Sequence, residues 1–427
     1  MPKYQPTAAE QAHLRRLLEE RYAGLLPENQ TPHQVLGRRS TIGCVALEIT
    51  QRCNLDCTLC YLSDYSESVP DPPVAEIKRK ADRIKERFGV QTNVQITGGD
   101  PTLRKREELV EIVRYCADIG LYPALFTNGI RASRDLLAEL RDVGLIDVAF
   151  HVDMTQERKG YRSEIELNEL RDKYLERARG LGLAIIFNTT VYGDNVHEVP
   201  ELVRWFVRHG GDVGMASFQL GADTGRGVVA GRPEVITKRR VRQLIEVGCD
   251  ANLSWDHTQI GHPDCHEIAY TLVAGDKVVD IFDRREVVES WLRDFGTVPV
   301  DRTRPVESAW ALARHMFFER PGWFKVGAPW LGRLARDLLP ALVKSRGKVG
   351  KISFFIQNFQ DAARLDPGRI HDCSFHVATR DGTVSMCEHN AHRDDFIVPP
   401  NLIRGRDILP SRPPIAEAIA QRRAKAG

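Results

Sequence analysis

The chain has 427 residues, enough for two or three domains, and its 42% hydrophobic and 28% charged residues are ordinary for a globular protein. The formal net charge of +2 argues against a general attraction to nucleic acid, and no apolar run approaches the roughly 18 residues of a membrane span. Nine cysteines in so long a chain are not a disulfide framework, and residues 1–30 lack a signal-peptide pattern. We therefore expect a cytoplasmic protein with reduced thiols.

Residues 1–40 form a predicted N-terminal segment, in which residues 8–26 read as a docking helix. Between residues 41 and 236, short apolar runs alternate with amphipathic segments, which is typical of βα units around a parallel sheet. The predicted strands are 42–49, 94–97, 122–126, 148–152, 184–191 and 214–220, and the predicted helices are 74–87, 107–119, 135–143, 170–181 and 200–209. Six strands suit an open (β/α)6 barrel, whose chemistry is expected at the carboxyl ends of the strands.

A CxxxCxxC loop follows the first predicted strand, with Cys53, Cys57 and Cys60 followed at once by Tyr61. Three thiolates can hold three irons of a [4Fe–4S] cluster and leave the fourth iron open. A cluster that only carries electrons normally has four cysteine ligands, so the open position indicates that another molecule completes the coordination. Zinc or structural thiols are the alternative, but a zinc knuckle needs a nearby fourth ligand, and the next Cys or His is Cys116.

The residues Cys53, Cys57, Cys60 and Tyr61 resemble the cluster loop of the radical SAM superfamily. The resemblance implies that S-adenosylmethionine (SAM) occupies the open iron. It also implies one-electron cleavage of SAM to methionine and a 5'-deoxyadenosyl radical, which abstracts a hydrogen atom from a substrate. A reductant such as flavodoxin or ferredoxin is then required.

The second predicted strand ends in Gly98, Gly99, Asp100 and Pro101, which resembles the superfamily's GGEP motif with Asp in place of Glu. The glycines would let the backbone approach SAM, and Asp100 would accept a bond from its amine. A plain strand-to-helix turn is the alternative. The same resemblance assigns contacts with SAM or substrate to Tyr61 and to further strand-end residues, namely Asn128, His151, Asp153, Asn188 and Gln219.

Residues 237–427 are predicted to form an α+β auxiliary domain with a second iron–sulfur site. Cys373 and Cys387 bracket a predicted hairpin, and Cys265 lies in a turn-rich segment. Together with Cys249 they would supply four thiolates, although buried inert thiols are the alternative. The substitutes considered for a missing thiolate are His262, His266 and His389.

Three segments resemble the radical SAM group that contains archaeal tetraether-lipid synthase and a related pterin methylase; they are His262–Cys265, Phe218–Gln219 with Thr224–Arg226, and Asp366–Asn390. Members of that group carry additional iron–sulfur centres. The resemblance implies C–C bond formation or alkylation at an unactivated carbon of an apolar, lipid-like substrate. A radical SAM maturase of a peptide or cofactor and a non-catalytic iron–sulfur or zinc-binding protein are the competing hypotheses.

An insert at about residues 309–351 mixes basic residues with Leu331, Leu334, Leu338 and Leu342, which share one helical face. This pattern predicts a basic amphipathic helix. Such a helix either lies peripherally on the inner membrane surface, in contact with lipid, or packs over the barrel mouth with a solvated basic face.

Overall fold

The computed structural model describes residues 4–225 and 234–397, so Arg226 of the Thr224–Arg226 motif and the predicted domain beyond residue 397 lie outside it. The strands are β1 (Cys44–Thr50), β2 (Asn93–Gly98), β3 (Tyr122–Thr127), β4 (Asp147–His151), β5 (Ala184–Val191), β6 (Val213–Leu220), β7 (His266–Ala274), β8 (Lys277–Asp280), β9 (Gly350–Asn358), β10 (Phe375–Ala378) and β11 (Thr383–Ser385). The α-helices are α1 (Ala8–Ala23), α2 (Val74–Phe88), α3 (Arg106–Asp118), α4 (Arg134–Asp142), α5 (Asn168–Ala178), α6 (Val199–Arg208), α7 (Lys238–Cys249), α8 (Arg285–Phe295), α9 (Pro305–Arg314), α10 (Phe324–Lys344), α11 (Pro367–His371), α12 (Met386–Ala391) and α13 (Arg393–Ile397).

The described strands form one sheet in the order β11-β10-β1-β2-β3-β4-β5-β6-β9-β7-β8. Strands β1 to β6 run parallel to one another and alternate with helices, which confirms the predicted α/β partial barrel. The end strands β11 and β8 do not pair with each other, so the sheet is open. Strands from the C-terminal part extend this sheet at both edges, and a domain boundary at residue 236 stays a prediction.

The βα helices pack through one apolar face each. Helix α2 follows Pro73 and buries Ile77, Ala81 and Ile84 at spacings of four and three, as an amphipathic helix over a sheet should. Burying each of the two isoleucine side chains contributes roughly 1.5–3 kcal/mol, which holds the helix on the outer face of the sheet. At the end of α2, Gly89 has φ +86°, which reverses the chain toward β2.

The inner face of the curved sheet surrounds a cavity of about 760 Å³. The pairing register of the strands arranges the side chains that line this cavity in successive layers along the strands. Asn188 lies level with Ser217, and Thr190 lies level with Gln219 at the carboxyl ends. At the opposite end, Asp147 lies level with Ala184. The cavity therefore runs the length of the strands, from the cysteine loop to the amino ends.

Helix α10 occupies most of the basic insert and packs against the β7–β8 hairpin. Its buried Leu334 and Leu338 contact Ala274 and Val279, near the end of β7 farthest from His266. This contact places the helix at the amino-end side of the barrel strands and not over the mouth at the cysteine loop. Among the described residues, no helix has the length and apolar character needed to cross a membrane.

Candidate active site

The cysteine loop lies at the carboxyl end of β1, where Cys53, Cys57 and Cys60 all line the cavity. Its backbone is tied to the neighbouring strand ends, because the amide of Thr58 donates to the carbonyl of Thr155 over 2.8 Å. The loop contains no regular helix or strand, so contacts with neighbouring segments, and not its own secondary structure, fix the positions of its thiols.

The three thiols share one electrostatic neighbourhood. Burial raises the pKa of Cys53 to about 11, with the charge of Asp100 and then Cys60 adding to the effect. Burial also raises the pKa of Cys57 well above its ordinary value, followed by the charges of Cys60, Asp153 and Cys53. Iron ligation must therefore displace protons from these sulfurs. As they stand, no three Cys, His, Asp or Glu side chains within the described ranges form a metal-coordinating group.

Gly98 and Gly99 allow the end of β2 to pack closely against the cysteine loop. A Cβ at Gly98, where φ is +122°, would lie 1.9 Å from the carbonyl oxygen of Thr50, and one at Gly99 would lie 2.0 Å from that of Arg52. Tyr61 completes the junction by donating its hydroxyl to the Gly98 carbonyl over 2.7 Å. The glycine motif and the cysteine loop are thus one packed unit that only glycine allows.

Asp100 lines the cavity but is only 1% exposed. Its carboxylate accepts bonds from the amide of Thr102 (3.0 Å), the hydroxyl of Thr127 (2.9 Å) and the amide of Asn128 (2.8 Å). A carboxylate offers about four lone-pair sites, so most of its capacity is used within the protein. The shorter Asp therefore orders the turn at Pro101, which lies behind the cavity wall.

His151 and Asp153 form a pair at the end of β4, with 2.6 Å between the imidazole Nε2 and the carboxylate. Burial alone would lower the pKa of His151, but the charge and hydrogen bond of Asp153 raise it above the ordinary value. Burial would raise the pKa of Asp153, yet His151 and the bonds from Thr155 and Thr190 hold it at about 2. His151 faces the cavity, and Asp153 lies behind it as its support.

The remaining predicted residues also reach the cavity. Asn128 donates from its amide nitrogen to the side chain of Asn54 over 2.7 Å, which fixes it to the cysteine loop. Asn188 and Gln219 lie on the inner faces of β5 and β6. The structure therefore brings cysteine loop, glycine motif and polar strand ends around one space.

Residues 47–206 match the family model of the radical SAM superfamily. The chain therefore contains a radical SAM domain. It is 23% identical over 408 residues to the 7,8-dihydro-6-hydroxymethylpterin dimethyltransferase of Methanocaldococcus jannaschii, covering 84% of this chain and 78% of that protein. It is 34% identical over 164 residues to the PqqA peptide cyclase of Bradyrhizobium diazoefficiens, of whose length the match spans 42%, and 38% of this chain. Among solved structures, the FeFe-hydrogenase maturase HydG from Carboxydothermus hydrogenoformans aligns with a TM-score of 0.40 at 12% identity, covering 79% of this chain and 84% of that one.

The protein is thus a radical SAM enzyme that uses a [4Fe–4S] cluster and SAM, and enzymes of this superfamily need a reductant. This confirms the resemblance stated from Cys53, Cys57, Cys60 and Tyr61, including the likeness to the pterin methylase. The residues present fit the cofactors in their chemistry. Three thiols face the cavity, and beside them lie two glycines whose backbone a ligand can approach because they carry no side chain.

The second cysteine set is brought together in part. The predicted hairpin forms from β10 and β11, with Cys373 before it and Cys387 after it. Burial raises the pKa of Cys265 to about 12, and the nearby Cys373 and Cys387 add to the effect. Cys249 instead lies in the apolar core at the end of α7, with Glu246 as the charged group that acts on it.

The three histidine substitutes differ in their surroundings. His389 stacks on Phe396 and lies beside Arg393, and His266 faces the cavity. His262 lies near Asp366 at the start of α11, and its backbone carbonyl accepts a bond from the amide of Cys265 over 3.1 Å. All three histidines are close in sequence to a cysteine of the set, and this bond joins His262 to Cys265 through the backbone alone.

Sequence reasoning missed several residues that the fold gathers here. Arg393 donates to Glu48 (2.7 Å) and Gln51 (3.0 Å), and its guanidinium lies over the ring of Tyr61. The available signal was Glu48 itself, a carboxylate inside the apolar strand β1 that needs a buried partner. Burial raises the pKa of Cys44, the first residue of β1, and the nearby Cys373 adds to the effect.

Proposed function

We propose that the enzyme abstracts hydrogen from an apolar, lipid-like substrate and forms a C–C bond or alkylates an unactivated carbon. The observation that carries this proposal is the cavity of about 760 Å³ below the cysteine loop, a volume typical of small-molecule sites. Its middle is lined by Phe126, Ala149, Ile186 and Met215. The likeness to the pterin dimethyltransferase supports alkylation as the reaction class.

In this proposal, Cys53, Cys57 and Cys60 hold the cluster, and the backbone of Gly98 and Gly99 seats SAM, with Asp100 and Pro101 fixing the turn behind it. When bound, the cluster supplies the electron that cleaves SAM to methionine and the 5'-deoxyadenosyl radical. Tyr61, Asn128, His151, Asn188 and Gln219 orient SAM and substrate, with Asp153 holding His151 in place. The apolar walls keep water from the carbon radical.

We further propose that Cys265, Cys373 and Cys387 hold an auxiliary iron–sulfur cluster, with a fourth ligand from a neighbouring side chain or substrate. Burial is the main cause of the raised pKa of both Cys265 and Cys387, and the charge of Cys373 adds to it in each case. The three thiols therefore lie close together, which supports the grouping. A flavodoxin or ferredoxin would supply the electrons.

Anaerobic reconstitution followed by iron and sulfide counting tests both clusters, with SAM cleavage by dithionite assayed in parallel. We expect about eight irons per chain and formation of 5'-deoxyadenosine in the wild type, and about four irons in Cys373→Ala. Cys249→Ala should keep the full iron content, because its thiol lies in the core. About four irons in the wild type would leave Cys265, Cys373 and Cys387 as structural thiols, and an iron loss in Cys249→Ala would make that residue a ligand.

The insert also supports peripheral contact with an anionic membrane surface. Among the described residues, most of the exposed large apolar side chains fall between residues 306 and 349, including Trp310 at 74% and Phe318 at 81% exposed. Exposed basic residues lie among them, at Lys325, Arg336, Arg346 and Lys348. Aromatic side chains beside cations suit the interface of an anionic bilayer.

Cosedimentation with lipid vesicles tests this contact. We expect binding to phosphatidylglycerol vesicles in preference to phosphatidylcholine vesicles, and a reduction of at least about tenfold when Trp310 and Phe318 are both changed to Ala, because two buried anchors are lost. Val247→Ala, an exposed apolar residue on α7, is the matched control and should bind as the wild type does. Equal binding to both lipids, or to neither, would contradict the proposal.

A peptide or cofactor maturase is the second candidate, supported by the 34% identity to the PqqA peptide cyclase over 164 residues. Incubating the reconstituted enzyme with SAM, dithionite and a total lipid extract separates the two. Substrate-dependent 5'-deoxyadenosine formation with lipid favours the first proposal. Stimulation by a short peptide and not by lipid favours the maturase.

A further inference from the structure

Two cations line the end of the cavity opposite the cysteine loop. Arg302 lies in the segment before α9, and Lys351 lies near the start of β9. Along β9, Gln357 pairs with Gln219 at the level of the SAM end. Gln357 lies six positions after Lys351, which in an extended strand corresponds to roughly 20 Å. The basic end is therefore about the length of the barrel away from the cysteine loop.

The charges at this end do not balance. Arg302 is paired with Asp147, its Nη1 lying 2.9 Å from the carboxylate. Within the described residues Lys351 has no carboxylate partner, and its ammonium lies 5.6 Å from the centre of the Tyr270 ring. Lys351 is exposed to solvent at this open end of the cavity. Two cations against the one carboxylate of Asp147 leave a net positive charge there, which attracts an anion.

Small side chains line the cavity at its basic end. Parallel barrels normally fill their interior with bulky branched residues. Here Ala124 and Ala184 lie level with Asp147 on the two neighbouring strands, and the next layer toward the cysteine loop is apolar, formed by Phe126, Ala149, Ile186 and Met215. The cavity continues past both layers to the cysteine loop, so an extended apolar chain can occupy it.

The apolar insert begins and ends at this same place. Arg302 precedes α9 by three positions, and Lys351 follows α10 at the start of β9, so residues 303–350 leave the basic end and return to it. Its first and last exposed apolar side chains, Val306 and Val349, therefore lie within four positions of a cation along the chain. A molecule drawn from a lipid surface would meet Lys351 with its head while its chain faces the cavity.

We propose that Lys351, beside the Arg302–Asp147 pair, binds the anionic headgroup of an amphiphilic substrate whose apolar chain extends along the cavity toward SAM. This inference rests on the proposed function and names its substrate class. A carboxylate and a phosphate monoester share the required chemistry. Lys351 thereby sets which carbon of the chain reaches the SAM end, because the headgroup position fixes the register of the chain.

The test is calorimetric titration of the reconstituted enzyme with SAM but without reductant, using dodecanoate, dodecyl phosphate and dodecanol. We expect at least one anion to bind at least about tenfold more tightly than dodecanol, since a charged hydrogen bond is gained. The anion that binds identifies the headgroup as carboxylate or phosphate. Lys351→Met should abolish the preference over dodecanol, and Lys351→Arg should retain it. The matched control is Lys348→Met, a lysine exposed outside the cavity, which should behave as the wild type does.

Equal affinity of the wild type for dodecanol and both anions would overturn the inference, as would an unchanged preference in Lys351→Met. The wild-type series decides the matter even where that variant fails to fold, which its thermal melting reports. Reductive SAM cleavage is measured separately on the wild type. Intact cleavage without headgroup preference removes this inference alone, and headgroup preference without cleavage removes the proposed chemistry alone.

Discussion

Replacing Cys57 by alanine is expected to abolish reductive cleavage of SAM. Cys57 is the middle thiol of the loop, and both Cys53 and Cys60 act on it electrostatically. Loss of a residue that merely supports a metal ligand costs about tenfold to a hundredfold in affinity or activity, so loss of a ligand should cost at least about a hundredfold. The measurement is 5'-deoxyadenosine formed from SAM and dithionite by the anaerobically reconstituted variant, together with its iron content.

Cys116→Ala is the control for this variant. Cys116 is also buried, but it lies on α3 in the apolar core and away from the loop. We expect its removal to lower the free energy of unfolding by about 1 kcal/mol while SAM cleavage continues. Retained 5'-deoxyadenosine formation in Cys57→Ala would show that the CxxxCxxC loop does not hold the reactive cluster.

The fold was largely predictable because its signals are local. The six predicted strands and five predicted helices of the barrel are all present, and the structural bounds of α2, Val74–Phe88, differ from the prediction by one residue. The cysteine loop and glycine motif were equally visible, since their chemistry lies in adjacent residues. The cysteine loop and the glycine motif lie side by side because β1 and β2 are neighbours in the sheet, an order that parallel βα connections favour.

The rest of the site depends on long-range packing that no local pattern encodes. Arg393 reaches Glu48 across 345 positions of the chain, and Arg302 reaches Asp147 across 155. Cys249 is the opposite case, and its role as an iron ligand stays a prediction. Its spacing allowed a fourth thiolate, but the amphipathic pattern of α7 carries it into the core instead. Counting cysteines cannot distinguish these cases, whereas the periodicity of the helix that bears the thiol can.

The second large effect is expected from Gly99→Ala, which acts on the contact between the glycine motif and the cysteine loop. The added Cβ would lie 2.0 Å from the carbonyl oxygen and 2.4 Å from the carbonyl carbon of Arg52, the residue before Cys53. Backbone atoms cannot rotate away as a side chain can, so the loop or the strand end must move. Overpacking of this kind costs typically about 1–3 kcal/mol.

We therefore expect Gly99→Ala to lose SAM binding and more than about tenfold in SAM cleavage, since an error of about 1 Å in the reacting geometry can cost a hundredfold. Equilibrium dialysis with labelled SAM and the 5'-deoxyadenosine assay measure the two losses, and thermal unfolding measures the stability change.

Gly193→Ala is the matched control, because a Cβ there meets nothing within 4 Å. It follows β5 and should bind and cleave SAM as the wild type does. If Gly99→Ala binds and cleaves SAM as the wild type does, the cysteine loop can move to accommodate the added Cβ without loss of function. The close packing of Gly99 on Arg52 would then have no part in seating SAM. A loss of SAM binding with full iron content would instead separate the role of the glycine motif from that of the three cysteines.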